Sequence, residues 1–343
     1  MTVLILRLVT VLSALLCHVL AAPYSNPIAR GTVYDPFITF SEGYYYFLST
    51  GYDLRVTRAR TLDGLKTGQT KVIFPDSGVV FETPKLHKID GTWWLYFTAP
   101  NPDPSGNPPV TIFVLKGGPT PRDPFTYAAQ LINATAASHP TILRLPNSPT
   151  PHLLFACPRI LSLPSLCITP LLSPTTPGPI AILASANATW ERRQTGGFFL
   201  PTSLTSPSVL ANPATNQTFI TYSTGNSPEL SSNPITLLTH NGGNPVDERS
   251  WVKTGPYHLG AYTTSAGSDG TVCGGGMVKF FTSPDGKEVW SVYLAGEDES
   301  DKCGRGGDWH LGVKRVRFGE EGGMPEFGGT AERGEWFPGP GGE

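Results

Sequence analysis

One hairpin unit recurs along this chain, and its recurrence limits the fold more than any other feature. The first copy, GTVYDPFITFSEGYYYFLST, runs from Gly31 to Thr50. It places an acid before a proline, a short apolar strand, a tight turn and a strand of aromatic residues. The unit returns as ETPKLHKIDGTWWLYFTAP from Glu82, SHPTILRLPNSPTPHLLFACP from Ser138 and TSPSVLANPATNQTFITYST from Thr205. A further copy without the entry proline, GGMVKFFTSPDGKEVWSVYLAG, starts at Gly275. Each pairs turn residues with a β-branched and aromatic run, the signature of a hairpin.

Weaker strands follow each hairpin, at Arg55 to Arg60, Val110 to Lys116, Ser165 to Thr169, Ile235 to Thr239 and Leu311 to Phe318. Repeats of about four strands every roughly 50 to 70 residues fall in the range of propeller blades. The expected fold is all-β, a five-bladed β-propeller. A stack of β-sandwiches is the alternative, but it has no reason to repeat one hairpin with its entry proline. Composition agrees: 38 Gly and 34 Pro among 343 residues favour many turns over helices. In a propeller the first strand of each blade lines the central channel. The entry residues Asp35, Glu82 to Lys85, His139, Thr205 and Met277 should therefore converge at one mouth.

The N-terminus, MTVLILRLVTVLSALLCHVLAAPYSNP, carries Arg7, an apolar stretch and the small-residue end Val19-Leu20-Ala21. It reads as a signal peptide over 1–21, with an N-terminal anchor helix as the alternative. Residues 22–328 then form the propeller domain, and 329–343 a flexible C-terminal tail with little to pack. The expected protein is secreted, extracellular, monomeric and free of membrane. A net charge of −2 offers no footprint for nucleic acid.

Secretion makes the cysteines legible. Cys157 and Cys167 flank a Pro-rich turn between apolar strands, where a hairpin crosslink is natural, and Cys273 with Cys303 would close the last repeat. No C-x-x-C spacing supports zinc. Asn133-Ala-Thr, Asn187-Ala-Thr and Asn216-Gln-Thr are glycosylation acceptors. Gly274-Gly275-Gly276 lacks the Lys-Ser/Thr of a phosphate loop, so no cofactor and no metal is expected. Tyr44, Tyr45, Tyr46, Trp93, Trp94 and Tyr96 are candidates for sugar stacking, but their place on blade strands points to inter-sheet core.

Taken in order, these segments resemble glycoside hydrolase family 43, in its arabinofuranosidase/arabinanase-like branch. NPIARGTVYDPFITFSEGYYYF is similar to the family's opening, ETPKLHKIDGTWWLYFTA to its WAPE-containing hairpin, TSPSVLANPATNQTFITYSTG to its fourth-blade entry, and GGGMVKFFTSPDGKEVWSVYLAG to its GHNSF and YHA region. The resemblance implies a five-bladed propeller that hydrolyses glycosidic bonds of arabinose- or xylose-containing plant polysaccharide, with cell-wall polysaccharide or oligosaccharide as partner. It implies inversion by three acids: a base Asp in the first blade, an acid Glu opening the fourth, and an Asp opening the third that adjusts the acid.

Residue by residue, Asp35 stands at the base position. His139 stands at the pKa-adjusting position and Thr205 at the general acid. Lys85 replaces the Glu of the WAPE motif and Glu82 its Trp. Met277 replaces the His of GHNSF, a position that in some members accompanies a metal ion or ordered water, and Leu294 the His of YHA. Glu82 is the candidate substitute acid. A hydroxyl at Thr205 cannot serve, because its pKa is far too high to protonate a leaving group usefully. The alternative reading is a catalytically inactive propeller that binds carbohydrate or another partner.

Overall fold

The computed structural model describes residues 21–30, 34–102, 109–133, 136–160, 163–195, 198–201, 203–224, 235–257, 271–274, 278–298, 308–320, 323–327 and 334–343. Five antiparallel sheets form a ring of blades. Blade 1 runs outward through Tyr34–Ser41, Tyr44–Thr50, Leu54–Ala59 and Gln69–Phe74. Blade 2 uses Glu82–Ile89, Thr92–Pro100, Val110–Lys116 and Thr126–Gln130. Blade 3 uses Ser138–Leu143, His152–Ile160, Leu163–Ser173 and Ala181–Ser185, and blade 4 Leu204–Ala211, Thr218–Thr224, Ile235–His240 and Trp251–Tyr257. In blade 5, Lys279–Thr282 pairs with Val289–Asp298 and that strand with Asp308–Phe318. The innermost strands touch in the order 1, 2, 3, 4, 5 and back to 1, which closes the five-bladed β-propeller.

The aromatic strands owe their composition to this ring. A blade is covered on both faces, so successive side chains bury against opposite neighbours. Tyr46 and Leu48 pack toward blade 2, whereas Tyr45 and Phe47 pack toward blade 5. Leu95 and Phe97 face blade 1, and Trp94 and Tyr96 face blade 3. Five apolar clusters result, one at each blade interface. Most of the sugar-stacking candidates are therefore core. Tyr44 alone among them is only partly buried, under the guanidinium groups of Arg58 and Arg60.

Ring closure comes from the N-terminal segment, which the repeat pattern does not reveal. Ala29–Arg30 pairs with Asp308–Phe318 and supplies the outermost strand of blade 5. A second tie corrects the expected tail at 329–343. In its described part, Trp336–Phe337 pairs with Tyr24–Ser25, and the Leu62 N–H donates to the Glu343 Oε1 at 2.9 Å. The aromatic ring of Phe337 lies 5.7 Å from Tyr24, so apolar contact holds down a segment that looked too polar and Gly-rich to pack.

The disulfide Cys157–Cys167 forms, joining adjacent strands of blade 3 at a Cα separation of 5.8 Å. Both cysteines sit in the apolar cluster between blades 2 and 3. Replacing both by Ala should lower unfolding free energy by about 2–4 kcal/mol, read from urea midpoints. A change under about 1 kcal/mol would show that the crosslink adds little. The Cys273 side chain, Cys303, Met277 and 1–20 lie outside the described residues. Asn133, Asn187 and Asn216 are all exposed, as glycosylation requires.

Candidate active site

The four X-Pro entries share one backbone device. Asp35, Thr83, His139 and Ser206 each precede a proline, and each has positive φ, at 46°, 50°, 57° and 52°. Non-glycine residues seldom adopt that region, and such strain persists where the surrounding structure enforces it. Each entry is a β-bulge. The pairs Tyr34↔Thr50 and Phe37↔Leu48 advance three residues on one strand against two on the other. Glu82 to Lys85, Ser138 to Thr141 and Thr205 to Ser208 repeat the same slip. The extra residue takes the proline out of the ladder, where its missing N–H costs nothing, and re-aims the side chain before it.

This equivalence sharpens the sequence mapping. Asp35 corresponds to Thr83, His139 and Ser206. Thr205 occupies in blade 4 the bulge position that Glu82 occupies in blade 2 and Ser138 in blade 3. The candidate substitute acid thus stands at the correct level of the mouth but in another blade, next to Asp35. Glu82 is exposed at the mouth, whereas Lys85 is 2% exposed in the channel wall.

Hydrogen bonds tie three blades together around Asp35. The Thr83 N–H donates to Asp35 Oδ2 at 2.9 Å. The Thr83 and Thr98 hydroxyls lie 3.3 Å apart, and the His139 N–H donates to Thr98 Oγ1 at 2.9 Å. Opposite, the Lys279 ammonium approaches Asp35 Oδ1 at 3.6 Å from the innermost strand of blade 5. Lys85 reaches across the channel and donates to the Pro207 carbonyl of blade 4.

The electrostatics follow from this crowding. Partial burial, then the Asp35 charge, push the Glu82 carboxyl above the usual carboxylate range. Burial lowers His139 to about 4; Asp35 pulls against that shift, while Lys85 and Lys279 add to it. Its Nδ1 lies 3.0 Å from the Ser138 hydroxyl. The imidazole is therefore neutral at neutral pH, and it neither replaces a carboxylic acid nor pairs with Asp35 as a cation. The unfolded chain binds this proton from about 6.5 downward, the folded chain only near 4, so folding loses stability as pH falls between those values. His139→Gln should flatten the fall in thermal midpoint across that window, and an unchanged slope would remove His139 as its source.

Burial also lowers Lys85 well below its ordinary value, helped by the like charge of Lys279 and opposed by Asp35. Lys279 is lowered by burial and held up by Asp35. It escaped the sequence reading because a lysine inside a strand ordinarily reads as a solvent-facing residue. Its register is the only clue: Lys279 opens regular pairing in blade 5, where Lys85 does so in blade 2 and Phe37 in blade 1.

Among the described residues, no three His, Cys, Asp or Glu side chains cluster to hold a metal ion. What surrounds Asp35 instead is a hydrogen-bond donor on one oxygen and an ammonium facing the other. That set does not fit a cation held by Asp35.

Comparison with known proteins matches the sequence to this geometry. Residues 24–142 match the family model "Glycosyl hydrolases family 43". The segment holds Asp35, Glu82, Lys85 and His139, and ends before Thr205 and Lys279. An extracellular exo-alpha-(1->5)-L-arabinofuranosidase of Streptomyces chartreusis is 40% identical over 87 residues, covering 23% of this chain and 26% of that protein. Its counterpart in Streptomyces avermitilis is 37% identical over 84 residues, covering 22% and 18%. The matched stretches thus span about a quarter or less of these relatives. The crystal structure of an alpha-L-arabinofuranosidase from Lactobacillus brevis superposes with a TM-score of 0.71 at 22% identity, over 91% of this chain and 98% of that one. An endo-arabinase from Bacteroides thetaiotaomicron gives a TM-score of 0.61 at 17% identity, over 88% and 98%. By sequence, residues 24–142 are similar to glycosyl hydrolases family 43, and across the ring the chain shares the fold of these solved structures.

Proposed function

We propose that this protein is a secreted glycosidase acting on arabinose-containing plant polysaccharide, with Asp35 as general base and Glu82 as general acid. The supporting observation is the carboxyl pair itself. Asp35 accepts from a backbone N–H and faces an ammonium, while Glu82 beside it is pushed toward the protonated form. Inverting hydrolysis needs two carboxyls biased in opposite directions. Asp35 would take a proton from water as the water oxygen bonds to the anomeric carbon. The glycosidic C–O bond breaks, and the Glu82 proton passes to the leaving oxygen. The apolar N-terminal run, with the extracellular relatives, supports export.

A second reading is favoured by His139 and Thr205, which put no carboxylate where the family keeps its acid and that acid's partner. On that reading the mouth binds arabino-oligosaccharide without turnover. The two are separated by assaying purified protein on an aryl α-L-arabinofuranoside and on arabinan, with Asp35→Asn as control. Release abolished by Asp35→Asn supports the enzyme. Saturable oligosaccharide binding by calorimetry without release supports the binding module, and neither response rejects both.

A further inference from the structure

The channel floor beneath the mouth is built unusually. In the ring of residues that follows each bulge, or opens pairing in blade 5, Phe37, Thr141 and Ser208 are joined by Lys85 and Lys279. The two lysines are 2% and 1% exposed. Burying an ammonium is costly unless an opposite charge or acceptors compensate. Lys85 has the Pro207 carbonyl. Among the described residues, the Lys279 Nζ makes no hydrogen bond, and neither does Asp35 Oδ1, which faces it at 3.6 Å. Each is the other's compensation.

We propose that Lys279 is the positioning residue of this mouth: a built-in counter-cation that keeps Asp35 ionised and aimed, and occupies the place where a divalent metal would need an open carboxylate oxygen. With Oδ2 accepting from the Thr83 N–H and Oδ1 facing Lys279, a divalent ion on Asp35 would have to sit against that ammonium. Among the described residues, the other charged or titratable groups that sense Asp35 are Glu82 and Lys85 from blade 2 and His139 from blade 3. Glu82 is the group that shares the mouth, and the neutral His139 supplies no competing positive charge. The inference rests on the mouth being the functional site, but it does not require turnover.

The test is a carboxyl-detected NMR titration of Asp35, assigned by comparison with Asp35→Asn, in the wild type and in Lys279→Met. An opposite charge at this range lowers a carboxyl by about 1–3 pH units, so the Asp35 midpoint should rise by about that amount in the variant. Met keeps the unbranched length, and Lys279→Gln serves if Lys279→Met does not fold. A midpoint unmoved in a folded variant overturns the proposal. So would a saturable rise of the wild-type thermal midpoint with calcium that Asp35→Asn removes; the expected curves with calcium and with EDTA coincide. A raised midpoint in a protein that neither cleaves nor binds sugar keeps this inference and rejects the glycosidase reading. Turnover with an unmoved midpoint does the reverse.

Discussion

Asp35→Asn is expected to lower arabinoside turnover by about 10²- to 10⁴-fold, the usual contribution of one positioned base, with the fold retained. The amide keeps the shape and can still accept from the Thr83 N–H, but it cannot take a proton from water. Glu82→Gln should cost as much on arabinan, whose leaving group is a poor alkoxide, and far less on an aryl glycoside whose phenolate leaves without protonation. Equal losses on both substrates would remove Glu82 as the acid and leave it a binding contact. The alkaline limb of the pH–rate profile adds a signed check. The Asp35 charge helps hold Glu82 protonated, so removing it in Asp35→Asn should lower the Glu82 titration, measurable in the same carboxyl spectra. An unchanged Glu82 midpoint would mean that the two carboxyls do not sense one another.

Glu191→Ala is expected to destabilise the protein by about 3 kcal/mol or more, at the lower end of the 3–5 kcal/mol typical for breaking a buried ion pair. Glu191 has no exposed surface and closes the interface between blades 3 and 4. Its Oε1 accepts from the Tyr222 hydroxyl at 2.5 Å, its Oε2 from Lys253 Nζ at 2.9 Å and from the Ala188 N–H at 2.9 Å. Truncation removes the acceptor from all three donors and leaves the Lys253 charge without its counter-ion. The lower end applies because Lys253 keeps the Ser185 carbonyl at 2.7 Å and the Asn187 Oδ1 at 2.9 Å. Glu191→Gln retains an acceptor for Tyr222 and should cost less. Urea midpoints decide it: a loss below about 1 kcal/mol for the Ala variant would mean that water replaces the carboxylate there.

The blades were legible because their determinants are local. A turn and a doubly buried aromatic strand lie within about twenty residues in each copy, four of them with an entry proline, and a ring of similar interfaces repeats that pattern. Cys157 and Cys167 could be paired for the same reason, since one hairpin brings them together. Asp35 was placed at the mouth by its proline, and the structure gives that proline a mechanical meaning as the bulge that turns the carboxylate inward.

What sequence order could not convey is what meets across the ring. The strand at Ala29–Arg30 has too few residues to announce itself, and it belongs to blade 5 only because the ring must close. The segment at Trp336–Phe337 carries no tail-like or strand-like certainty until Tyr24 is beside it. Glu82 gained a partner through the contact between neighbouring inner strands, and its raised titration is a property of that contact, not of its own segment.

Lys279 shows the limit most plainly. Its neighbours in the chain are apolar, and Asp35 precedes it by most of the chain, yet a buried ammonium and a carboxylate compensate one another at 3.6 Å. By itself, the sequence determined the repeated blades, the crosslinked hairpin and the acid at the first entry, because short-range pattern encodes each of them. Only the tertiary structure decided which charges face that acid, because Coulomb interactions depend on distance through space and the ring folds the last blade against the first.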